Sequence, residues 1–212
     1  MFLSQLSLDP ASRQVQAEIA NRYELHRTLT AQFSVERRKD ISLLYRIELP
    51  ESQVYQPIRL LIQTQIEPDW RGIDRSGFVI EKPQIKEFSP HAIVGERYYF
   101  RLLANPTVRR TQPDRNSKRI GLYKPEDQED WINRKGDLGG FSIEVLEIKN
   151  FGMIESIKRK DQCNYHIQHL GVQFDGILKV THEEIFLKTL IKGLGSAKAF
   201  GFGLLSLAKP TN

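Results

Sequence analysis

An α+β fold with antiparallel sheets is predicted for this chain, arranged as two successive halves. Three observations predict it. Strand-like alternation at residues 2–8 gives way to helical periodicity and then to two β-rich runs; a second β-rich series begins beyond a proline-containing junction at Phe88-Ser89-Pro90-His91; and 212 residues suit two domains of roughly 100 each. The expected boundaries are 1–89 for the first domain and 95–212 for the second.

In the first half, Phe2-Leu3-Ser4-Gln5-Leu6-Ser7-Leu8 reads as a strand, and Asp9-Pro10-Ala11 opens a helical stretch running to about Ala20. A second helix is expected from Asn21. Asn21 and Glu24 stand at the capping-box spacing, and Leu25, Leu29 and Phe33 recur every fourth residue, which predicts an inward apolar stripe. Residues 41–49 and 58–65 are rich in strand formers and are expected to pair.

Beyond Gly95, Tyr98-Tyr99-Phe100-Arg101-Leu102-Leu103 is a strongly β-prone run that stops at Asn105-Pro106. Pro125, followed by Glu126, Asp127, Glu129 and Asp130, has the acidic first turn of a helix, with Arg134-Lys135-Gly136 as its basic end. Residues 141–148, 152–157, 166–174 and 177–180 read as four strands, 183–192 as a helix and 204–207 as a last strand. Both halves therefore fit a ferredoxin-like (RRM-like) sandwich, in which a helix pair covers an antiparallel sheet.

Apolar residues at 40% and charged residues at 27% exclude a disordered or fibrous chain. No run approaches the ~20 apolar residues of a membrane span, and Met1-Phe2-Leu3-Ser4-Gln5-Leu6 lacks the basic flank of a signal peptide, so a cytoplasmic protein without a membrane partner is expected. The single Cys163 agrees with a reducing compartment. A net charge of +5 and a pI near 9.3 suggest a polyanionic partner, because cations that neutralise phosphates release counterions. The charge is clustered at Arg37-Arg38-Lys39, Arg109-Arg110, Lys118-Arg119 and Lys158-Arg159-Lys160, several of them beside turn-forming residues.

Two stretches carry candidate chemistry. At about 100° per residue, Tyr23, His26, Arg27, Thr30 and Ser34 form a polar stripe turned away from Leu25, Leu29 and Phe33. Histidine moves protons near neutral pH, a tyrosine hydroxyl positions a nucleophile, and arginine stabilises phosphate charge; the same stripe also fits the wet side of an amphipathic helix. The second stretch runs from Gly193 through Gly195, Lys198 and Gly201 to Gly203. Its glycines would let a backbone approach a phosphate, with Lys198 as cation; equally, they fit a turn that packs a helix on the last strand. Neither dinucleotide-binding nor P-loop spacing is met. Cys163, His166 and His169 do not form a metal site as a strand, because alternate residues face opposite sides. No metal or cofactor is expected.

Taken together the chain resembles the CasE family, the repeat-cleaving subunit of type I-E CRISPR surveillance complexes. The resemblance runs nearly end to end: Leu8-Asp9-Pro10-Ala11-Ser12-Arg13, Tyr23-Glu24-Leu25-His26-Arg27-Thr28-Leu29, Gln63-Thr64-Gln65, Glu67-Pro68-Asp69-Trp70, residues 100–106, Phe174-Asp175-Gly176 and residues 193–206. It implies tandem ferredoxin-like domains, and an endoribonuclease that cuts at the base of a repeat stem-loop, keeps the mature CRISPR RNA and joins the other Cascade subunits. A monomer is expected when the protein is free.

The resemblance places catalysis on Tyr23 and His26 and a groove-entering basic hairpin at Lys158, Arg159 and Lys160. Arg27, Arg37, Arg109, Arg110, Lys118, Arg119, Gly193, Gly195, Lys198, Gly201 and Gly203 complete the expected RNA-binding set. Some relatives carry a lysine one turn after the histidine; here the chain reads Thr30-Ala31-Gln32, so the basic helper is missing or comes from Arg27 or Arg37. An RNA 2'-hydroxyl is a built-in nucleophile, so such cleavage needs in-line positioning, proton transfer and charge stabilisation but no metal. Tyrosine ordinarily titrates near pH ~10 and is a poor base at neutral pH; which residue serves as acid and which as base stays open. A non-catalytic RNA-binding scaffold subunit is the alternative from another class.

Overall fold

The structure, a computed structural model, describes residues 1–34, 36, 41–50, 55–74, 77–112, 115–160 and 163–210. Of Arg110, Lys118 and Lys160 only the backbone is described. The chain forms two compact units, one comprising Met1–Ser89, Glu155–Ile167 and Lys198–Gly201, the other Pro90–Ile154, Gln168–Ala197 and Phe202–Asn212. Two short stretches from late in the sequence thus belong to the first unit.

Unit 1 contains β1 (Phe2–Leu8), α1 (Arg13–Ala20), α2 (Arg22–Ala31), β2 (Leu44–Glu48), β3 (Ile58–Thr64), α3 (Arg71–Asp74) and β4 (Gln84–Glu87). Its sheet has the order β2-β3-β1-β4 and is antiparallel throughout. Register follows from the pleat: Leu6 pairs with Leu60 and Leu8 with Ile58, so apolar residues of the two central strands share one face. Leu25, Leu29, Val15 and Phe33 close over that face in one buried cluster, as the four-residue spacing predicts. The helix that carries the spacing is shorter than expected. It ends at Ala31, so Phe33 and Ser34 follow it, although Phe33 still reaches the core and packs edge-on to Trp70 at 6.0 Å.

Unit 2 contains β5 (Arg97–Ala104), β6 (Thr107–Gln112), β7 (Arg115–Gly121), α4 (Pro125–Gly139), α5 (Glu183–Lys192) and β10 (Leu205–Ala208); β8 (Phe141–Lys160) and β9 (Cys163–Val180) each have one end in unit 2. The main sheet has the order β10-β5-β9-β8, and β6 and β7 pair separately as a two-stranded ribbon. Phe100, Leu102, Trp131, Phe141, Phe174, Phe186 and Leu190 share one buried cluster, which explains why the β-prone run at 98–103 and the helices α4 and α5 are amphipathic. Both units have the α+β, antiparallel, ferredoxin-like character expected from the sequence.

Several boundaries differ from those expected. The four strands expected between 141 and 180 are two continuous ones, because Gly152 and Gly176 sit within strands rather than ending them. A Cβ at Gly176 would lie 1.9 Å from the Val145 carbonyl oxygen, so this glycine marks a close approach of two backbones. Helix α4 runs past Lys135-Gly136 to Gly139, because the left-handed stop lies at Gly140, whose N–H closes back on the Gly136 carbonyl. The β6–β7 ribbon and β4 were not expected at all. Among the described residues no helix is long and apolar enough to cross a membrane.

Candidate active site

The site in unit 1 is built around the first turn of α2. Asn21 precedes that turn but does not cap it. Its side-chain amide instead pairs with the Ile157 backbone in both directions: Nδ2 donates to the carbonyl at 2.9 Å, and the Ile157 N–H donates to Oδ1 at 3.0 Å. An amide that mimics a strand neighbour satisfies two backbone groups of β8 at once. The expected capping box is therefore absent, and Glu24 takes the Arg27 guanidinium at 2.8 Å instead. The Asn21 pairing fixes the adjacent Lys158, whose Nζ lies 5.7 Å from the Tyr23 ring centre. That is within cation–π range. On the same tyrosine, the Phe200 ring packs at 6.4 Å with a 33° tilt.

His26 stands one turn after Tyr23, and successive i, i+3 residues share a helix face. The expectation that it points to water needs correction. The residue is half-buried and its ring lies against Tyr45, centroids 6.4 Å apart and planes 15° from parallel. Nδ1 is buried without a hydrogen-bond partner among the described residues. Burial holds the imidazole below its ordinary pKa of 6.5, because removing water disfavours the charged form. Only part of the predicted stripe is wet: the Arg27 side chain is 65% exposed and Ser34 is exposed, whereas Thr30 is half-buried and donates to the His26 carbonyl at 2.8 Å. An imidazole kept neutral, a phenol beside it and an ammonium over that phenol together suit proton transfer next to an anion.

The 3-10 turn Lys198–Phe200 also belongs to unit 1, so the structure brings Tyr23, His26, Lys158 and the turn containing Lys198 together. Arg22 donates to the Phe200 carbonyl at 3.2 Å, and the Tyr45 hydroxyl lies 3.1 Å from the carbonyls of Arg22 and Ala199. The glycines around this turn have folding tasks. Gly193 ends α5, and Gly203 exchanges backbone bonds with Leu194 and Leu103. Gly195 has φ +80, and a Cβ there would press on Trp131 at 3.2 Å; Gly201 has φ +78, and a Cβ there would press on Tyr45 at 2.9 Å. Packing accounts for these four without a phosphate.

Arg109 and Arg119 are exposed in unit 2 and face one another across β6 and β7, with the Arg110 and Lys118 backbones paired next to them. Like charges directly opposite on a ribbon repel, so this ribbon would gain from a polyanion laid along it. Arg119 also lines a cleft with Asn105, Tyr123, His169 and Ser196, all of unit 2. Arg159 is exposed on β8, and Arg37 lies outside the described residues. Cys163 and His166 are exposed, while the His169 ring packs 5.8 Å from Phe202. Among the described residues no three His, Cys, Asp or Glu side chains are grouped to hold a metal. Sequence reasoning missed Tyr45, which carries no motif and reaches α2 only by folding, and gave no role to Arg22, the first residue of α2, or to Phe200 within the glycine-rich stretch.

The model of a family described as "CRISPR associated protein" matches residues 1–209. The CRISPR-associated endoribonuclease Cse3 of Thermus thermophilus is 36% identical over 218 residues, covering 98% of this chain and all of that protein. The CRISPR system Cascade subunit CasE of Escherichia coli is 29% identical over 194 residues, covering 88% of this chain and 91% of its own length. Cse3 bound to a 19 nt RNA superposes with a TM-score of 0.85 at 34% identity, over 98% of this chain and 100% of that one. The Thermus thermophilus Cse3 complex with an RNA representing the pre-cleavage state gives 0.81 at 34% identity, with 98% of each chain covered. With a full-length family match and a relative above one-third identity, this chain belongs to the CRISPR-associated protein family that includes Cse3 and CasE.

Proposed function

We propose that this protein is the endoribonuclease that matures CRISPR RNA: it binds the repeat stem-loop, cuts at the 3' base of the stem and retains the product as a Cascade subunit in the cytoplasm. The single observation that carries the catalytic part is the half-buried His26 with Tyr23 one turn before it and Lys158 over the Tyr23 ring. The neutral imidazole takes the proton of the 2'-hydroxyl beside the scissile phosphate, the oxygen attacks phosphorus, and the bond to the 5' oxygen of the next nucleotide breaks, that oxygen taking up a proton from solvent. The products are a 2',3'-cyclic phosphate and a 5'-hydroxyl. Tyr23 orients the reacting phosphate, and Lys158 stabilises the charge that gathers on it. Arg27 is engaged by Glu24, so Lys158 is the better basic helper where some relatives have a lysine after the histidine.

Incubation with the genomic repeat transcript in excess chelator tests the whole reading. Cutting at one bond, leaving a 2',3'-cyclic end, is expected. Tight binding without any cutting, with or without magnesium, would favour a scaffold subunit; cutting that only magnesium restores, with the RNA fold unchanged, would require metal chemistry.

Neutralising Lys158, Arg159 and Lys160 together is expected to weaken repeat binding and flatten its dependence on salt, each lost phosphate contact lowering the log–log slope by roughly 0.7 to 0.9. Titrations at several salt concentrations check this. Wild-type affinity at all of them would mark the run as a solvated face.

A further inference from the structure

The imidazole of His26 lacks the support that usually orients a proton-transferring histidine. In such sites the second ring nitrogen is commonly held by a carboxylate or a backbone carbonyl, which fixes the ring plane and the tautomer. Here Nδ1 is buried with no hydrogen-bond partner among the described residues. The ring must therefore take its orientation from packing.

Tyr45 on β2 supplies that packing surface. It is fully buried, and its ring lies nearly parallel to the imidazole. The arrangement falls within the range of favourable offset stacking. The ring is itself pinned: its hydroxyl is 3.1 Å from the Arg22 carbonyl, at the start of α2, and 3.1 Å from the Ala199 carbonyl, in the Lys198–Phe200 turn. One hydroxyl proton shared between two carbonyls ties helix and turn through one side chain. The seat exists because residue 201 is glycine, since any Cβ there would press on Tyr45 Cε2. Tyr45 is too deeply buried to reach RNA, and burial also pushes its hydroxyl well above the ordinary tyrosine range, so it stays protonated.

We propose that Tyr45 is a positioning residue for RNA cleavage: its pinned ring holds the His26 imidazole in line with the 2'-hydroxyl, in place of a hydrogen bond to Nδ1. The inference rests on the reading of His26 as the proton-transfer group. It asks for an effect on the chemical step and none on RNA affinity.

The test is a double-mutant cycle read by single-turnover cleavage at saturating protein, with repeat-RNA Kd and thermal unfolding measured in parallel. Tyr45→Leu is expected to slow cleavage roughly 10- to 100-fold, the scale of a small misplacement of a catalytic group, with Kd unchanged. Tyr45→Phe keeps the ring but not its pins and is expected to lose only a few-fold. Both losses should vanish in a His26→Ala background, because a residue that acts only through His26 has nothing left to act on. A wild-type rate for Tyr45→Leu, a loss that persists without His26, or equal losses for Phe and Leu each overturn the inference. If Tyr45→Leu does not fold, Tyr45→Phe decides alone: a loss that disappears with His26→Ala supports the positioning role, and no loss or an additive one removes it. His26→Ala cutting at the wild-type rate sinks the reading of His26 itself, a distinguishable result.

Discussion

His26→Ala is expected to cut repeat RNA roughly 10²- to 10⁴-fold more slowly than wild type, the usual contribution of a positioned acid or base, with RNA affinity nearly unchanged. The side chain is half-buried against Tyr45, so its loss leaves a small gap on the edge of the core rather than within it. The buried helix positions are Leu25 and Leu29, which the substitution leaves in place. The effect should therefore fall on the transition state. The pH dependence carries the sign of the proton transfer. Burial lowers the His26 pKa below 6.5, so the neutral form predominates at neutral pH. With His26 as acceptor, the subsaturating rate rises with pH through an inflection below 6.5 and levels off above it, since that profile reports the free enzyme. In His26→Ala the inflection disappears. A wild-type rate would remove His26 from the mechanism; a rate that falls as pH rises through the same inflection would make it the acid instead.

Replacing the 2'-hydroxyl beside the scissile phosphate with hydrogen is expected to abolish cutting at that bond while leaving binding intact. The hydroxyl is the proposed nucleophile, and no rearrangement of protein groups restores it. Binding is expected to survive because affinity for RNA is dominated by phosphate contacts, which the loss of one 2'-hydroxyl leaves in place. Electrophoresis of the deoxy-substituted repeat under single-turnover conditions, with a Kd measured on the same RNA, checks both halves. Cleavage of the deoxy substrate at the same bond would mean that a water or protein nucleophile does the work, and the cyclic-phosphate route would be wrong even with the family assignment standing.

Much of the secondary structure was legible from local rules. The Leu25, Leu29 and Phe33 spacing, the acidic start of α4 at Pro125 and the run at 98–103 each name an element that the structure contains. Glycine was the least readable signal. Gly136 resembled a helix stop yet lies inside α4, and Gly152 and Gly176 resembled strand ends yet lie inside β8 and β9, because a glycine's task depends on what approaches it in space. The β6–β7 ribbon escaped notice because its residues are charged rather than alternating. Its signal was the charge clusters themselves, Arg109-Arg110 and Lys118-Arg119, which prove to be opposite one another in register.

What the sequence by itself determined is the α+β class with antiparallel sheets, the inward stripe of α2, and the placing of Tyr23 and His26 one turn apart, because hydrophobic period and helical pitch are local properties. What only the tertiary structure decided is the setting of those two residues. Asn21 left its own helix to pair with Ile157, bringing Lys158 over Tyr23, and Tyr45 came from β2 to lie against His26 with its hydroxyl between Arg22 and Ala199. Asn21 and Ile157 are 136 residues apart, and Tyr45 and Ala199 154, and no spacing rule spans such distances. The Asn21 amide and the Tyr45 hydroxyl take the partners that the folded chain presents, since a polar group withdrawn from water and left unpaired carries a desolvation cost.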